Sequence, residues 1–309
     1  MKSKIFFFAA LLLSVAVHPG SAELLSAQGA VLDAHTHLMS QSLADELTGG
    51  GVPSAGADDL IARLDEAGVQ KAVVLALGYF PELDAALAAA ENDYAAAEVA
   101  RYPDRLIGFC GINPLRANAL EEIDRCLDLP SMVGIKIQGS NLDWEDAEQV
   151  EAISAVLHQA GEKDAPVLLH VSGAPLDSKA IMNVFETLGA NQQVRITIAH
   201  TGGTIDSEIE MYLAPQYLVP PLLDATNLYM DLSASLQFYQ DAPLAKRELM
   251  VWRFRKWGID KLFFGSDYLH IAPQQTPAEA IKTLARYPFT QAELDTILGN
   301  DASSWLYGL

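Results

Sequence analysis

Eight short apolar runs, each followed by a stretch with helical spacing, constrain the fold of this chain more than any other feature. The runs cover residues 31–36, 72–77, 106–112, 132–137, 167–171, 194–199, 228–232 and 262–266. Several of them, such as Val73 to Leu77, are apolar at every position, which is typical of parallel strands buried on both faces. Eight strand–helix repeats in about 270 residues favour a single (β/α)8 TIM barrel of the α/β class over a doubly wound sheet with a second domain.

The stretches between the runs have the composition and spacing of amphipathic helices. They cover residues 58–67, 82–101, 117–129, 144–161, 178–188, 244–257 and 277–286. Residues 40–57, which include three consecutive glycines from Gly49 to Gly51, break this pattern. We expect an irregular segment there, either a loop over the rim of the barrel or an ordinary surface loop.

The net charge of the chain limits the kinds of partner that it can bind. The chain has 309 residues, with 20 Lys and Arg against 40 Asp and Glu, so its formal net charge is −20. Such an excess of negative charge argues against nucleic acid or an anionic membrane surface as a partner. We therefore expect a small-molecule substrate, and no pattern in the sequence sets an oligomeric state.

The first 22 residues have the features of a secretory signal peptide. Lys2 and Lys4 precede an apolar run from residue 5 to 17, and small residues lead to an expected cleavage after Ala22. This run is shorter than the roughly 20 residues needed to span a bilayer. The sequence thus predicts a mature domain of residues 23–309 without a membrane span, exported to the periplasm or secreted.

Polar side chains with metal-binding chemistry follow four of the predicted strands. Because residues two apart on a strand share a face, His35 and His37 should point together into the mouth of the barrel. His170, His200 and Asp267 end the fifth, sixth and eighth runs, and barrel enzymes place their active sites at these carboxyl ends. Imidazole and carboxylate donors of this kind suit Zn²⁺ or another divalent first-row ion.

These residues lie in motifs that resemble the amidohydrolase superfamily, and in detail its amidohydrolase-related branch of metal-dependent hydrolases and decarboxylases. The motifs are Asp33-Ala34-His35-Thr36-His37, Gly134-Ile135-Lys136, Leu169-His170, Ala199-His200-Thr201-Gly202-Gly203, Phe264-Gly265-Ser266-Asp267-Tyr268 and the closing stretch from Ile297 to Ala302. The resemblance implies a metal site of His35, His37, His170, His200 and Asp267. It also implies that Asp267 acts as general base, with His200 as a second catalytic residue.

Lys136 has three interpretations. It shares strand parity with Gly134 and Gln138, so it should face the barrel mouth. A lysine near a metal is costly unless it is neutral, paired or modified. It could be carboxylated to bridge two metals, as in some amidohydrolases, could stand beside a single metal, or could bind a substrate carboxylate. We favour one metal, Zn²⁺, and an unmodified Lys136 that binds an anionic group.

Three further groups are weaker candidates. His270, three residues beyond Asp267, could contact the substrate, although a surface-loop histidine is the favoured interpretation. Asp231 ends the seventh run and could support the metal ligands. Cys110, on a predicted buried strand, and Cys126, on the following helix, are expected as buried free thiols rather than a disulfide.

The resemblance implies metal-assisted hydrolysis of an ester, lactone or amide in a small anionic substrate. One alternative is a metal-dependent, non-oxidative decarboxylase or hydratase on the same fold. Another is a metal- or ligand-binding protein without catalysis, which the retained His35, His37 and Asp267 count against.

Overall fold

One sheet of eight parallel strands, ordered as in the chain, forms the centre of the molecule. The computed structural model describes residues 31–49, 51, 53–171, 178–202, 227–269 and 276–308. The strands are β1 (Leu32–Thr36), β2 (Lys71–Leu75), β3 (Leu106–Ile112), β4 (Met132–Gln138), β5 (Val167–His170), β6 (Ile196–Ile198), β7 (Leu228–Asp231) and β8 (Leu262–Phe263). They match the eight runs in order, and six of the runs extend by a few residues beyond the observed strands.

Contacts between the first and last strands close the sheet into a barrel. The Ala34 N–H donates to the Phe264 carbonyl at 2.9 Å, and the Asp267 N–H donates to the His35 carbonyl at 2.8 Å. Thr36 and Tyr268 form a further parallel bridge. The predicted (β/α)8 barrel is therefore confirmed.

Helices lie between and after the strands, and most of them pack against the outside of the barrel. They are α1 (Gln41–Thr48), α2 (Ala57–Ala67), α3 (Ala85–Val99), α4 (Ala119–Leu127), α5 (Ala147–Glu162), α6 (Ser178–Ala190), α7 (Ser235–Phe238), α8 (Leu244–Trp257), α9 (Pro277–Leu284), α10 (Gln291–Gly299) and α11 (Ser303–Tyr307). None of the described helices is long and apolar enough to cross a membrane. The predicted signal peptide, residues 1–22, lies outside the described residues.

The segment after β1 differs from the irregular loop expected at residues 40–57. It contains helix α1, whose first turn is capped by the Ser40 hydroxyl accepting from the Leu43 N–H at 3.1 Å. Gly49 ends this helix in the left-handed conformation with φ 64°. The helix is short and its glycine-rich end resembles a loop, so the sequence pattern concealed it.

The amino end of the barrel is sealed by the last helix of the chain. Trp305 on α11 is fully buried, and its ring lies 5.3 Å from that of Phe109 and 5.2 Å from that of Phe263. Arg195, just before β6, donates from Nε to the Trp305 carbonyl at 2.6 Å. The C-terminal helix is thus part of the barrel core.

Cys110 and Cys126 form a disulfide between β3 and α4, so the expectation of two free thiols is wrong. Both residues are buried, and their Cα atoms lie 6.1 Å apart, within the range that a disulfide spans. Strand and helix pack directly against each other, which no sequence spacing reveals. Closure of a loop of this length contributes about 3 kcal/mol in the chain-entropy model.

Candidate metal centre

A cavity of about 330 Å³ opens at the carboxyl ends of the strands. Six side chains singled out from the sequence line it: His35, His37, Lys136, His170, His200 and Asp267. His270 lies outside the described residues. The other six sequence-predicted residues thus share one cavity, at the end of the barrel where barrel enzymes carry out their chemistry.

Three donor atoms converge at the bottom of this cavity. Nε2 of His35 lies 3.3 Å from Oδ1 of Asp267, and Nε2 of His37 lies 3.4 Å from the same oxygen. His35 lies on β1. His37 follows directly after the strand, two residues further on, so both rings point toward the mouth, as the strand alternation predicted. Two imidazole nitrogens and a carboxylate oxygen this close together are suited to bind one divalent cation.

The opposite nitrogens of the imidazole rings are held by protein acceptors. Nδ1–H of His35 donates to Oδ2 of Asp231 at 3.0 Å, and Nδ1–H of His37 donates to the Leu75 carbonyl at 2.9 Å. Nδ1–H of His200 donates to the Ser233 carbonyl at 3.1 Å. These bonds fix the tautomers and leave each Nε2 lone pair for a metal, which is the usual arrangement around metal-binding histidines.

Asp231 lies behind the histidines of the site and does not line the cavity. It is fully buried, and its Oδ1 accepts the backbone N–H groups of His200 and Ser233, each at 3.1 Å. The Ser233 hydroxyl also donates to this oxygen. Donor atoms of His35, His200 and Asp231 lie within 4.8 Å of one another, but the Asp231 oxygens already accept these hydrogen bonds. Asp231 therefore orients His35 and His200.

His170 and His200 extend the site along the cavity wall. The His200 ring stacks on that of His35 at 4.7 Å, and the His170 ring packs edge-on against His200 at 4.7 Å. Among the described residues, no group of donor atoms within 4.8 Å includes His170. The structure thus brings His35, His37 and Asp267 together most closely, with His200 next to them and His170 further along.

The electrostatics of the site favour a cation. Burial lowers the pKa of His35 and His170, and that of His200 to about 4, so these imidazoles are neutral at neutral pH. Burial alone would raise the pKa of Asp267, but the neighbouring His35 and His200 hold it well below its usual range. Neutral imidazoles and an ionised carboxylate are the forms that bind a metal.

Two of the site residues adopt a backbone conformation that side chains disfavour. His200 has φ 53° and Asp267 has φ 58°, both in the left-handed region, which costs about 1–3 kcal/mol for a residue with a side chain. Asp267 follows β8 in this bend rather than ending the strand. Such bends are concentrated at functional sites, where the surrounding contacts maintain them.

Asp33 links the first strand to the bend that carries Asp267. Its Oδ1 accepts the Ser266 N–H at 2.9 Å and the His35 N–H at 3.2 Å. Burial raises the pKa of Asp33 to about 7. No sequence pattern points to the roles of Asp33 and Ser233. For Ser233, the available signal is its position two residues after Asp231.

Lys136 lies beside the metal-binding side chains with its ammonium group buried. The residue is 1% exposed, and its Nζ has no hydrogen-bond partner among the residues that the structure describes. Nζ lies 5.9 Å from the centre of the Tyr79 ring. Burial lowers the pKa of Lys136 to about 8, although Asp231 and Asp267 oppose this shift. A buried ammonium that faces a cavity without a partner is suited to bind an anion.

Fold and site together define a metal-dependent (β/α)8-barrel enzyme. The amidohydrolase family model matches residues 32–305, so the chain belongs to the amidohydrolase family. Its assignment to this family of enzymes from the sequence motifs is confirmed. No curated protein sequence is significantly similar to the chain.

Solved structures with the same fold include hydrolases and decarboxylases. A probable 2-pyrone-4,6-dicarboxylic acid hydrolase from Acinetobacter baumannii, with citric acid bound, is 21% identical with a TM-score of 0.65, over 90% of this chain and 99% of that one. The 5-carboxyvanillate decarboxylase from Sphingomonas paucimobilis is 15% identical with a TM-score of 0.63, over 90% and 98%. An amidohydrolase from Burkholderia multivorans with bound zinc is 13% identical with a TM-score of 0.66, over 90% and 99%. These similarities show that this chain has the same fold as the three proteins.

Proposed function

We propose that this protein is a metal-dependent hydrolase that uses water to cleave an ester, lactone or amide bond in a small anionic substrate. The observation that carries the proposal is the convergence of the Nε2 atoms of His35 and His37 on Asp267. The Nδ1 atoms of these rings are already occupied. This donor set fits a divalent cation at the bottom of a cavity large enough for a small ligand.

His35, His37, His170 and Asp267 would hold one Zn²⁺ ion, with His200 beside them. When bound there, the ion would acidify water and polarise the carbonyl or ester oxygen of the substrate. Two ions would require a bridging group, and Lys136 could supply one only after carboxylation. An amidohydrolase with the same fold has zinc bound, which supports the choice of metal, and a 5-carboxyvanillate decarboxylase with this fold has manganese bound.

Asp267 and His200 are the proposed proton-handling groups. The Asp267 carboxylate stays ionised, so it can accept a proton from the attacking water and then donate it to the leaving group. His200, with its Nδ1–H fixed by Ser233, presents a lone pair that can orient the water. Lys136 binds the anionic group of the substrate.

A non-oxidative decarboxylase is the second candidate. The 5-carboxyvanillate decarboxylase and 2,6-dihydroxybenzoate decarboxylase folds resemble this chain at TM-scores of 0.63 and 0.61. A buried Lys136 would hold a substrate carboxylate equally well in both reactions. A purely metal-binding protein would have no need of a base such as Asp267 beside an open metal position.

Metal analysis together with a substrate panel separates these functions. The panel contains esters, lactones, amides and carboxylated aromatics, with acid release and carbon dioxide release measured in parallel. Formation of the carboxylic acid product that depends on one bound metal per chain supports the hydrolase. Carbon dioxide release without hydrolysis supports the decarboxylase, and bound metal without any turnover supports the binding protein.

We expect Lys136→Met to raise KM for an anionic substrate about 10- to 100-fold, because a charged hydrogen bond contributes about 1.5–3 kcal/mol. Metal content should stay near one per chain. Steady-state kinetics and elemental analysis test this, with Lys163→Met as the control since Lys163 forms a surface ion pair with Asp124. A metal content near two that falls with Lys136→Met, and is restored by short carboxylates, would instead establish Lys136 as a bridge.

Export of the protein is also a proposal. Its support is the amino-terminal sequence pattern and the disulfide between Cys110 and Cys126, since disulfides persist mainly in oxidising compartments. We expect the protein isolated from its native source to begin near Glu23, as read by N-terminal sequencing. Retention of Met1 in that material would contradict export.

A further inference from the structure

The segment that joins β2 to α3 forms one side of the cavity. Residues 77–84 contribute five of the side chains that line it: Leu77, Tyr79, Phe80, Pro81 and Glu82. None of these five belongs to the candidate metal centre. A substrate bound at the metal would therefore contact this 77–84 segment along its non-reacting part.

Arg116, which does not line the cavity, binds the backbone of this segment from behind. Its Nη1 donates to the Gly78 carbonyl at 2.6 Å, and its Nη2 donates to the Phe80 carbonyl and, at 3.1 Å, to the Leu83 carbonyl. All three hydrogen bonds of the Arg116 guanidinium thus go to the 77–84 segment.

The 77–84 segment has little hydrogen bonding of its own. Its internal turns are closed by bonds from Phe80 N–H to the Leu77 carbonyl and from Leu83 N–H to the Phe80 carbonyl, both at a long 3.3 Å. A planar guanidinium can hold several carbonyls in a fixed arrangement, whereas a lysine ammonium acts as a point charge. Arg116 therefore supplies the main polar constraint on the shape of this segment.

The base of the segment is fixed separately by close packing on β3. The Asn92 side chain accepts the Gly111 N–H at 2.8 Å and donates to the Gly111 carbonyl at 3.3 Å. A Cβ at Gly111 would collide with the Ala76 carbonyl and the Gly78 nitrogen. The start of the segment therefore has support independent of Arg116, and loss of Arg116 should loosen residues 79–83 without unfolding the barrel.

We propose that Arg116 is a positioning residue for substrate binding, which acts by holding the 77–84 segment in the shape that forms one side of the cavity. The proposal rests on the proposed function only in assuming that substrates bind in this cavity. Because Arg116 contacts neither the metal ligands nor the proton-handling Asp267, it should affect KM rather than kcat.

Arg116→Lys tests the proposal, with Arg105→Lys as the matched control. Arg105 also donates to backbone carbonyls, those of Val69 and Gln70, but these precede β2 at the opposite end of the barrel. For Arg116→Lys we expect faster hydrogen exchange at the Phe80 and Leu83 amides and a KM raised roughly 10- to 100-fold with kcat retained. Binding of benzoate, a planar monocarboxylate probe, should weaken to a similar extent, and Arg105→Lys should show none of these changes.

Unchanged exchange at Phe80 and Leu83 in Arg116→Lys would overturn the proposal, as would equal effects of the two variants. A fall in kcat at constant KM would also overturn it. If no compound of the substrate panel is turned over, the proposed hydrolase function fails. Amide exchange and benzoate affinity then still decide the role of Arg116.

Discussion

Replacement of Asp267 by asparagine is expected to lower kcat/KM by about 10²- to 10⁴-fold, the usual contribution of a positioned general base. The amide keeps the size of the side chain but cannot take a proton from water. The Asp267 carboxylate lies 3.3–3.4 Å from the Nε2 atoms of His35 and His37, so the loss should fall on the chemical step. Steady-state kinetics on metal-loaded protein measure it.

Asp241→Asn is the matched control, because Asp241 lies on the surface in an ion pair with Arg286. Metal content must be measured in parallel, since Asp267 is also a proposed ligand. A metal-loaded Asp267→Asn variant with the activity of the parent would contradict the assignment of Asp267 as general base.

Replacement of His35 by alanine should remove both the metal and the activity. His35 contributes Nε2 to the donor cluster and, through Nδ1, connects it to Asp231. Loss of a supporting residue alone typically costs about 10- to 100-fold in metal affinity, and loss of a ligand should cost more. Elemental analysis after dialysis and activity measurements are the tests.

His158→Ala provides the control for His35→Ala. His158 lies on the exposed side of α5, 3.5 Å from Glu162, so its loss should leave metal content unchanged. Full metal content in the dialysed His35→Ala protein would show that His35 is not a ligand. Restoration of activity by added Zn²⁺ would show weakened binding with the remaining ligands still competent.

Much of the fold followed from the sequence because buried parallel strands leave an unmistakable apolar pattern. Val167 to Leu169 are apolar at every position and form β5 as expected. The position of His35 and His37 on one face followed from the two-residue period of a strand. Asp267 was placed at the right end of the barrel, but its left-handed bend depends on tertiary contacts that strand alternation does not encode.

Features that depend on contacts between residues far apart in the sequence cannot be predicted from the sequence pattern. Ser233 supports His200, which precedes it by 33 residues, and only the closed barrel brings them together. The Cys110–Cys126 bond depends on how α4 packs on β3. Both contacts arise from packing in three dimensions, which the local periodicity of the sequence does not reveal.

The order in which this chain can fold is limited by the way its two ends meet. Ala34 pairs with Phe264, and Trp305 fills the amino end of the barrel from the last helix. Until those residues are available, β1 is an open sheet edge and the barrel interior is exposed, a state prone to association with other chains. Contacts this distant in sequence also slow folding. A chain shortened at its carboxyl end would therefore lose closure of the whole barrel rather than a dispensable tail.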